Sequence, residues 1–247
     1  MNANIVKNGI SKEKITNILT VIYFAISGIE IMAEFLQKEQ LILLSKPLIM
    51  PLLILLYFVN SKKINLILLT ALFFVWMANM LFISKNFNFI IAGSVFFTIY
   101  RIFIIYLVIR YVKFPSFFAL IIGCLPFLFI YLFVINLAYE ELAAGFWLFL
   151  MQGIFTIFFG GLVLGNYIFK SNSSNTYLLI STMLFTFTQF LFVIRLFYTS
   201  LNIFQPLAML LYVIGQYLLY KFVIIEETKQ YRQQNINKLS SYNNNLS

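Results

Sequence analysis

Glu30 and Glu34 stand four residues apart inside an apolar stretch, the helical spacing that stacks two carboxylates on one face. Lys46 opens the next apolar stretch about one turn from the same surface. An ion pair joining the first two helices is the structural expectation. The functional alternative makes these side chains the polar floor of a cavity open to the outer leaflet, with Glu30 as the one deep carboxylate able to donate a proton. Arg101 sits deep in the fourth apolar stretch, where a charge costs at least about 2.5–3.5 kcal/mol on insertion scales. Escape of its long side chain toward the cytoplasmic surface, pairing with Glu30, and bonding to carbonyls at a kink all satisfy it. Arg195, near an outer end, is expected to snorkel to the surface. Asn79, Gln189 and Gln216 are neutral, and hydrogen bonding between helices is the usual employment of such residues. If several of them converge with Arg101, a phosphate- or headgroup-binding pocket becomes the better account.

What is missing narrows the chemistry further. All eight acidic residues are glutamates, and the chain has neither Asp nor His. Two-His metal sites, Ser-His-Asp triads and histidine acid–base catalysis are thereby removed, and no metal or cofactor is expected. The single Cys124 lies in an apolar run, so an internal disulfide is excluded.

The elements that must carry these side chains are membrane helices. The chain is 62% hydrophobic and only 10% charged, where soluble domains carry roughly a quarter charged residues. Its mean hydropathy is +0.93. Spanning the hydrocarbon core takes about 20 apolar residues, and eight such runs are present: 15–35, 41–59, 64–84, 88–109, 117–137, 143–168, 177–198 and 203–225. The predicted fold is therefore an all-α polytopic bundle. Residues 1–225 form a single transmembrane domain, and 226–247 form a polar tail rich in Asn and Gln that reads as disordered. The first run is spanning length and contains Glu30 and Glu34, so it is read as a retained helix and not a signal peptide. Pro115 can open the fifth helix, while Pro51 and Pro126 fall inside spans and predict kinks. Gly161 and Gly165 form a small-xxx-small pair that predicts either close packing within the monomer or a homodimer seam.

Counting Lys and Arg in alternate breaks gives twelve on the side of both termini against Lys38 and Lys85 on the other. The positive-inside rule then places both termini in the cytoplasm of a multi-pass cell-membrane protein. The net charge of +9 is accounted for by this orientation and by contact with anionic lipids, so nucleic acid is not an expected partner and membrane lipids are.

Residues 46–55 read KPLIMPLLIL, which resembles the Lys-Pro-Leu-x-Met-Pro segment of the YhhN family. That family includes the lysoplasmalogenases, eight-span hydrolases that cleave the vinyl ether of lysoplasmalogens. The resemblance places Ala78 and Asn79 at the family's Gly-Asp pair in span three. Gly93 matches a glycine followed eight residues later by histidine, but Arg101 occupies the histidine position. Thr188 and Gln189 stand at a Ser-Asp pair in span seven, and Tyr212 and Gln216 resemble a Tyr-x-x-x-Gln pattern in span eight. Together with the polar residues Glu30 and Glu34, the positions the resemblance picks out give a substrate site drawn from Glu30, Glu34, Lys46, Asn79, Arg101, Gln189, Tyr212 and Gln216.

Vinyl ether hydrolysis begins with protonation of carbon, followed by attack of water on the oxocarbenium ion, and so requires an acid. Asn79 and Gln189 have no carboxyl proton, and Arg101 holds its own firmly. Three readings follow. One is a lysoplasmalogenase-like hydrolase, with Glu30 as substitute acid. Another is a descendant without turnover that binds a lipid headgroup or stabilises a partner. The third, a small-solute transporter, lacks the usual pointer of paired broken helices.

Overall fold

A computed structural model of the chain describes residues 3–84, 86–138, 146–197 and 201–244. Within them it has eight helices: α1 (Ala3–Phe35), α2 (Glu39–Asn60), α3 (Leu66–Leu81), α4 (Phe87–Tyr111), α5 (Phe117–Ala138), α6 (Phe146–Phe169), α7 (Ser173–Phe197) and α8 (Phe204–Asn244). Seven are long and apolar enough to cross a membrane. The chain is an all-α polytopic membrane protein. Lys85, residues 143–145 and Tyr198, which bear on the predicted charge count and span limits, lie outside the described residues.

α3 departs from the predicted length. Its 16 residues rise about 24 Å, less than the roughly 30 Å hydrocarbon core. Asn65 sets its start, because the side-chain oxygen accepts the Ile67 backbone N–H at 3.0 Å and satisfies one of the free donors of the first turn. Apolar residues 82 and 83 continue past its end without helix, which is why hydropathy alone overshoots.

α8 departs in the other direction. The tail expected to be disordered continues α8 as helix to Asn244. Glu, Lys, Gln and Arg are good helix formers, and a helix already anchored in the bundle propagates without a new nucleus.

The helices close a ring in the order α1, α2, α3, α4, α6, α7, α8, with α5 outside it against α6 and α7; helices consecutive in sequence run antiparallel, while α4 and α6 run parallel. Two polar knots mark its ends. At one end, Tyr57 Oη donates to Glu227 Oε1 at 2.7 Å and Ser61 Oγ donates to Glu227 Oε2 at 3.0 Å. Asn65 adds a backbone N–H to Tyr57 Oη at 2.7 Å and a side-chain N–H to Tyr111 Oη at 3.0 Å. The α2–α3 connection is thus tied to α4 and α8. The other end gathers Glu34, Lys46, Arg195 and Gln205.

α2 contains Pro47 and Pro51. Pro51 has no N–H, so the carbonyl of Pro47, four residues earlier, loses its helical partner. The Trp76 indole N–H, arriving from α3, fills that vacancy at 2.9 Å. The proline thus becomes a fastening between two helices, because no water is at hand in hydrocarbon to satisfy the carbonyl.

α5 docks on α6 through glycine. A Cβ at Gly161 would lie 2.2 Å from Cys124 Sγ, and one at Gly165 would lie 2.8 Å from the Ala119 carbonyl oxygen. One at Gly123 would lie 2.6 Å from the Gly161 oxygen. Gly161 and Gly165 therefore pack within the monomer.

Replacing Gly161 by Leu should overpack the α5–α6 contact, costing about 1–3 kcal/mol or more because backbone lies in the way. The expected result is a clear drop in melting temperature in detergent. Gly28→Leu, where a Cβ meets nothing within 4 Å, should leave it unchanged.

Candidate functional site

The predicted ion pair between the first two helices is present. Lys46 Nζ lies 2.7 Å from Glu34 Oε1 and 3.7 Å from Glu30 Oε1. Ser45 Oγ donates to Glu30 Oε2, and Gln205 Nε2 donates to Glu34 Oε1 at 3.2 Å. Arg195 does not run to the surface by itself as expected. Its guanidinium donates to Gln205 Oε1, which places a second cation beside Glu34. Two carboxylates thus share two cations. Buried pairs of this kind contribute little net stability, but losing one partner costs about 3–5 kcal/mol. One atom is left over: Glu30 is fully buried, and its Oε1 has no hydrogen-bond partner.

Arg101 neither reaches the surface nor pairs with Glu30; it bonds to one backbone carbonyl and to two neutral side chains. Nη1 donates to the Gln152 backbone oxygen at 3.0 Å and to Thr156 Oγ1, and Nη2 donates to Gln189 Oε1 at 3.0 Å. Its guanidinium carbon lies 5.2 Å from the Phe97 ring centroid, within cation–π range. The Thr156 hydroxyl is 2.8 Å from the Gln152 oxygen and 2.7 Å from Gln189 Oε1, one proton between two acceptors. Among the described residues no carboxylate pairs with Arg101, and Glu30 is engaged with Ser45 and Lys46 instead.

Between these two groups lies a cavity of about 150 Å³ inside the helix ring. Its polar lining comprises Lys46, Asn79, Ser94, Gln152, Thr188, Gln189, Gln205 and Tyr212. Phe82, Phe87, Phe97, Phe149, Phe185 and Phe192 make up much of the apolar wall. Asn79 Nδ2 donates to Tyr212 Oη at 2.9 Å, and Gln152 Nε2 donates to the Ser94 backbone oxygen at 3.0 Å. Phe82 leans on Gly93, where a Cβ would stand 2.8 Å from its ring, so glycine there lets the α3 end close over the cavity.

Of the eight residues singled out from sequence, Lys46, Asn79, Gln189 and Tyr212 border this space. Glu30 and Glu34 stand behind Lys46, and Arg101 stands behind Gln189. Gln216 lies one turn further along α8. It accepts from Tyr100 Oη at 3.2 Å, and its Nε2 has no partner.

Gln152, Thr156 and Gln205 were missed in the sequence. The first two could have been found, because polar residues four apart in an apolar span share a face. Gln205 and Glu227 fall at or beyond the span ends, where polarity carries no signal.

Chemically, the arrangement offers one ammonium, several amides and three hydroxyls to whatever enters. The Glu30 and Glu34 carboxylates stand behind Lys46 and Gln205 and do not border the cavity themselves.

No curated protein and no solved structure matches this sequence. A family model described as the YhhN family matches residues 41–223, a segment that runs from α2 into α8 and leaves Glu30 and Glu34 outside it. The matched segment takes in most of the sequence and all the cavity's polar residues, and the chain belongs to the YhhN family.

Proposed function

We propose that this YhhN-family protein binds one end of a single-chain lipid in its interhelical cavity and does not hydrolyse vinyl ethers. The observation that carries this reading is the gathering of Asn79, Gln189 and, behind it, Arg101 around a single cavity. These are the positions where the resemblance expects acidic and histidine groups. A largely apolar pocket with a few convergent polar groups is the usual form of a ligand site. Its polar members here are amides, hydroxyls and the ion-paired Lys46 ammonium, which recognise oxygen-rich headgroups, and among the described residues no carboxyl group borders the space to act as the acid. A volume of about 150 Å³ would admit a ligand about the size of benzene, and therefore a headgroup or a chain end but not a whole lipid.

The observation that favours a second reading, a hydrolase, is the buried Oε1 of Glu30, which faces Lys46 Nζ at 3.7 Å and accepts no hydrogen bond among the described residues. In that reading the Lys46 ammonium protonates the alkene carbon and is reprotonated by Glu30, water adds to the oxocarbenium carbon and returns a proton to the Glu30 carboxylate, and the hemiacetal breaks its C–O bond to release an aldehyde and the glycerol hydroxyl.

Purified protein incubated with a lysoplasmalogen should release no more aldehyde than an empty-membrane control, while a fluorescent lysolipid binds and is displaced by unlabelled lipid. Asn79→Asp with Gln189→Asp should alter that binding and leave aldehyde release at background. Robust release that disappears in Glu30→Gln would establish the hydrolase instead.

The count of basic residues supports a cell-membrane location with both termini in the cytoplasm, so that the cavity lies toward the opposite face. Cysteines introduced at Lys62 and Asn86 test this. In intact cells a membrane-impermeant maleimide should label N86C and spare K62C, and the reverse pattern would invert the topology.

A further inference from the structure

The charges around the cavity are unevenly settled. At the Lys46 end, Glu30 and Glu34 face Lys46 directly and Arg195 through Gln205, so two negative charges meet two positive ones. At the other end, Arg101 is 6% exposed, and among the described residues the acceptors of its guanidinium are neutral: a backbone carbonyl, a hydroxyl and a side-chain amide. Neutral acceptors satisfy its hydrogen-bonding directions, but among the described residues no carboxylate offsets its positive charge, in a medium where charge is expensive.

That charge is separated from the cavity by a single movable side chain. Gln189 borders the cavity, and its Oε1 is held by Arg101 Nη2 at 3.0 Å and by Thr156 at 2.7 Å. With its carbonyl end so engaged, what Gln189 offers a ligand is its N–H pair, polarised by the guanidinium behind it. A rotation of the same side chain would instead hand the Arg101 donors directly to a ligand oxygen. A second small cavity, lined by Arg101 and Thr156, shares Phe97 and Phe185 with the main one, so space adjoins the guanidinium from that side as well.

We propose that the lipid held in this cavity is a single-chain amphiphile with a compact anionic oxygen head, a carboxylate or a phosphate monoester, and that Arg101 is the residue that selects it. The inference rests on the lipid-binding reading above and adds the charge and size of the head. The anion supplies the missing counter-charge, and charge-assisted hydrogen bonds to a guanidinium are about twice as strong as neutral ones. The head sits at the amide-lined end beside Gln152 and Gln189. The chain leaves past Phe82, Phe87 and Phe192 toward lipid. A bulky zwitterionic head fits poorly, because its own cation would be brought up against Arg101 and the volume is small.

The test compares lipids of one chain length and different heads. Oleate, oleoyl lysophosphatidate, oleoyl lysophosphatidylcholine and monoolein are each used to displace a fluorescent lysolipid from the full-length protein in nanodiscs. Oleate or lysophosphatidate, whichever head is the natural one, should bind at least tenfold more tightly than monoolein, and lysophosphatidylcholine no more tightly than monoolein. In Arg101→Met the ratio of anionic to neutral affinity should fall to about one, and Arg101→Lys, which keeps the charge, should restore part of it. Equal affinities for oleate, lysophosphatidate and monoolein in the unaltered protein would overturn the anionic assignment and leave lipid binding standing. A preference that survives Arg101→Met would overturn the role of Arg101. Failure of all four lipids to displace the probe would remove the lipid-binding reading itself.

Discussion

Hydrocarbon accepts no hydrogen bonds, and this single fact governs where each polar atom of the bundle lies. A helix satisfies its own backbone, so what needs a partner is whatever the helix cannot supply: a carbonyl freed by proline, an amide side chain, a charge. The Pro47 carbonyl freed by Pro51 is met by Trp76, Asn79 is met by Tyr212, and the Arg101 guanidinium is met by Gln152, Thr156 and Gln189. Each bond crosses between helices. The polar residues therefore act as fasteners whose positions fix which helices are neighbours, in a medium where apolar packing by itself discriminates weakly.

The same logic explains why the cavity lies where it does. α4, α6 and α7 are drawn together by Arg101, and α1, α2, α7 and α8 by the Glu34, Lys46, Arg195 and Gln205 cluster. Bulky Phe side chains fill the remaining circumference but leave a gap between the Arg101 group and the Lys46 cluster, lined by Gln152 and Gln189 of the one and Lys46 and Gln205 of the other. Close approach of α5 on α6 through Gly123, Gly161 and Gly165 backs the α6 face that presents Gln152 and Thr156, so a glycine contact outside the ring supports a polar contact inside it.

Much of the architecture was legible in the sequence because hydropathy reports the solvent directly. Runs of about twenty apolar residues gave the helices, and the Glu30, Glu34 and Lys46 spacing gave the ion pair that the structure contains. The misses share one cause: hydropathy locates the lipid and does not report where helix begins or ends. Apolar residues 82 and 83 extended the third span beyond α3, and polar residues after Ile225 concealed the continuation of α8. For that reason Glu227 escaped notice, although it is buried and bound by Tyr57 and Ser61. Partners for Arg101 were open from sequence because a guanidinium five bonds from its backbone can reach several helices. Only packing chooses among them. The choice fell on neutral groups, with both deep carboxylates already committed to Lys46.

That choice bears on chemistry as well as on packing. An aspartate beside a histidine can hold and release a proton near neutral pH, whereas a glutamine beside an arginine cannot, though the two pairs can occupy similar space and hydrogen-bond in similar directions. Arg101 and Gln189 are such a pair at 3.0 Å, in the positions where the family resemblance expects the former kind. Replacing both members together keeps the bond between α4 and α7 while exchanging a titratable couple for a permanent positive charge. A site altered in this way retains its shape and its location among the helices. In the reading proposed above, what the site presents to a ligand is then electrostatic attraction in place of proton transfer, and a ligand that brings a negative charge offsets the fixed positive one.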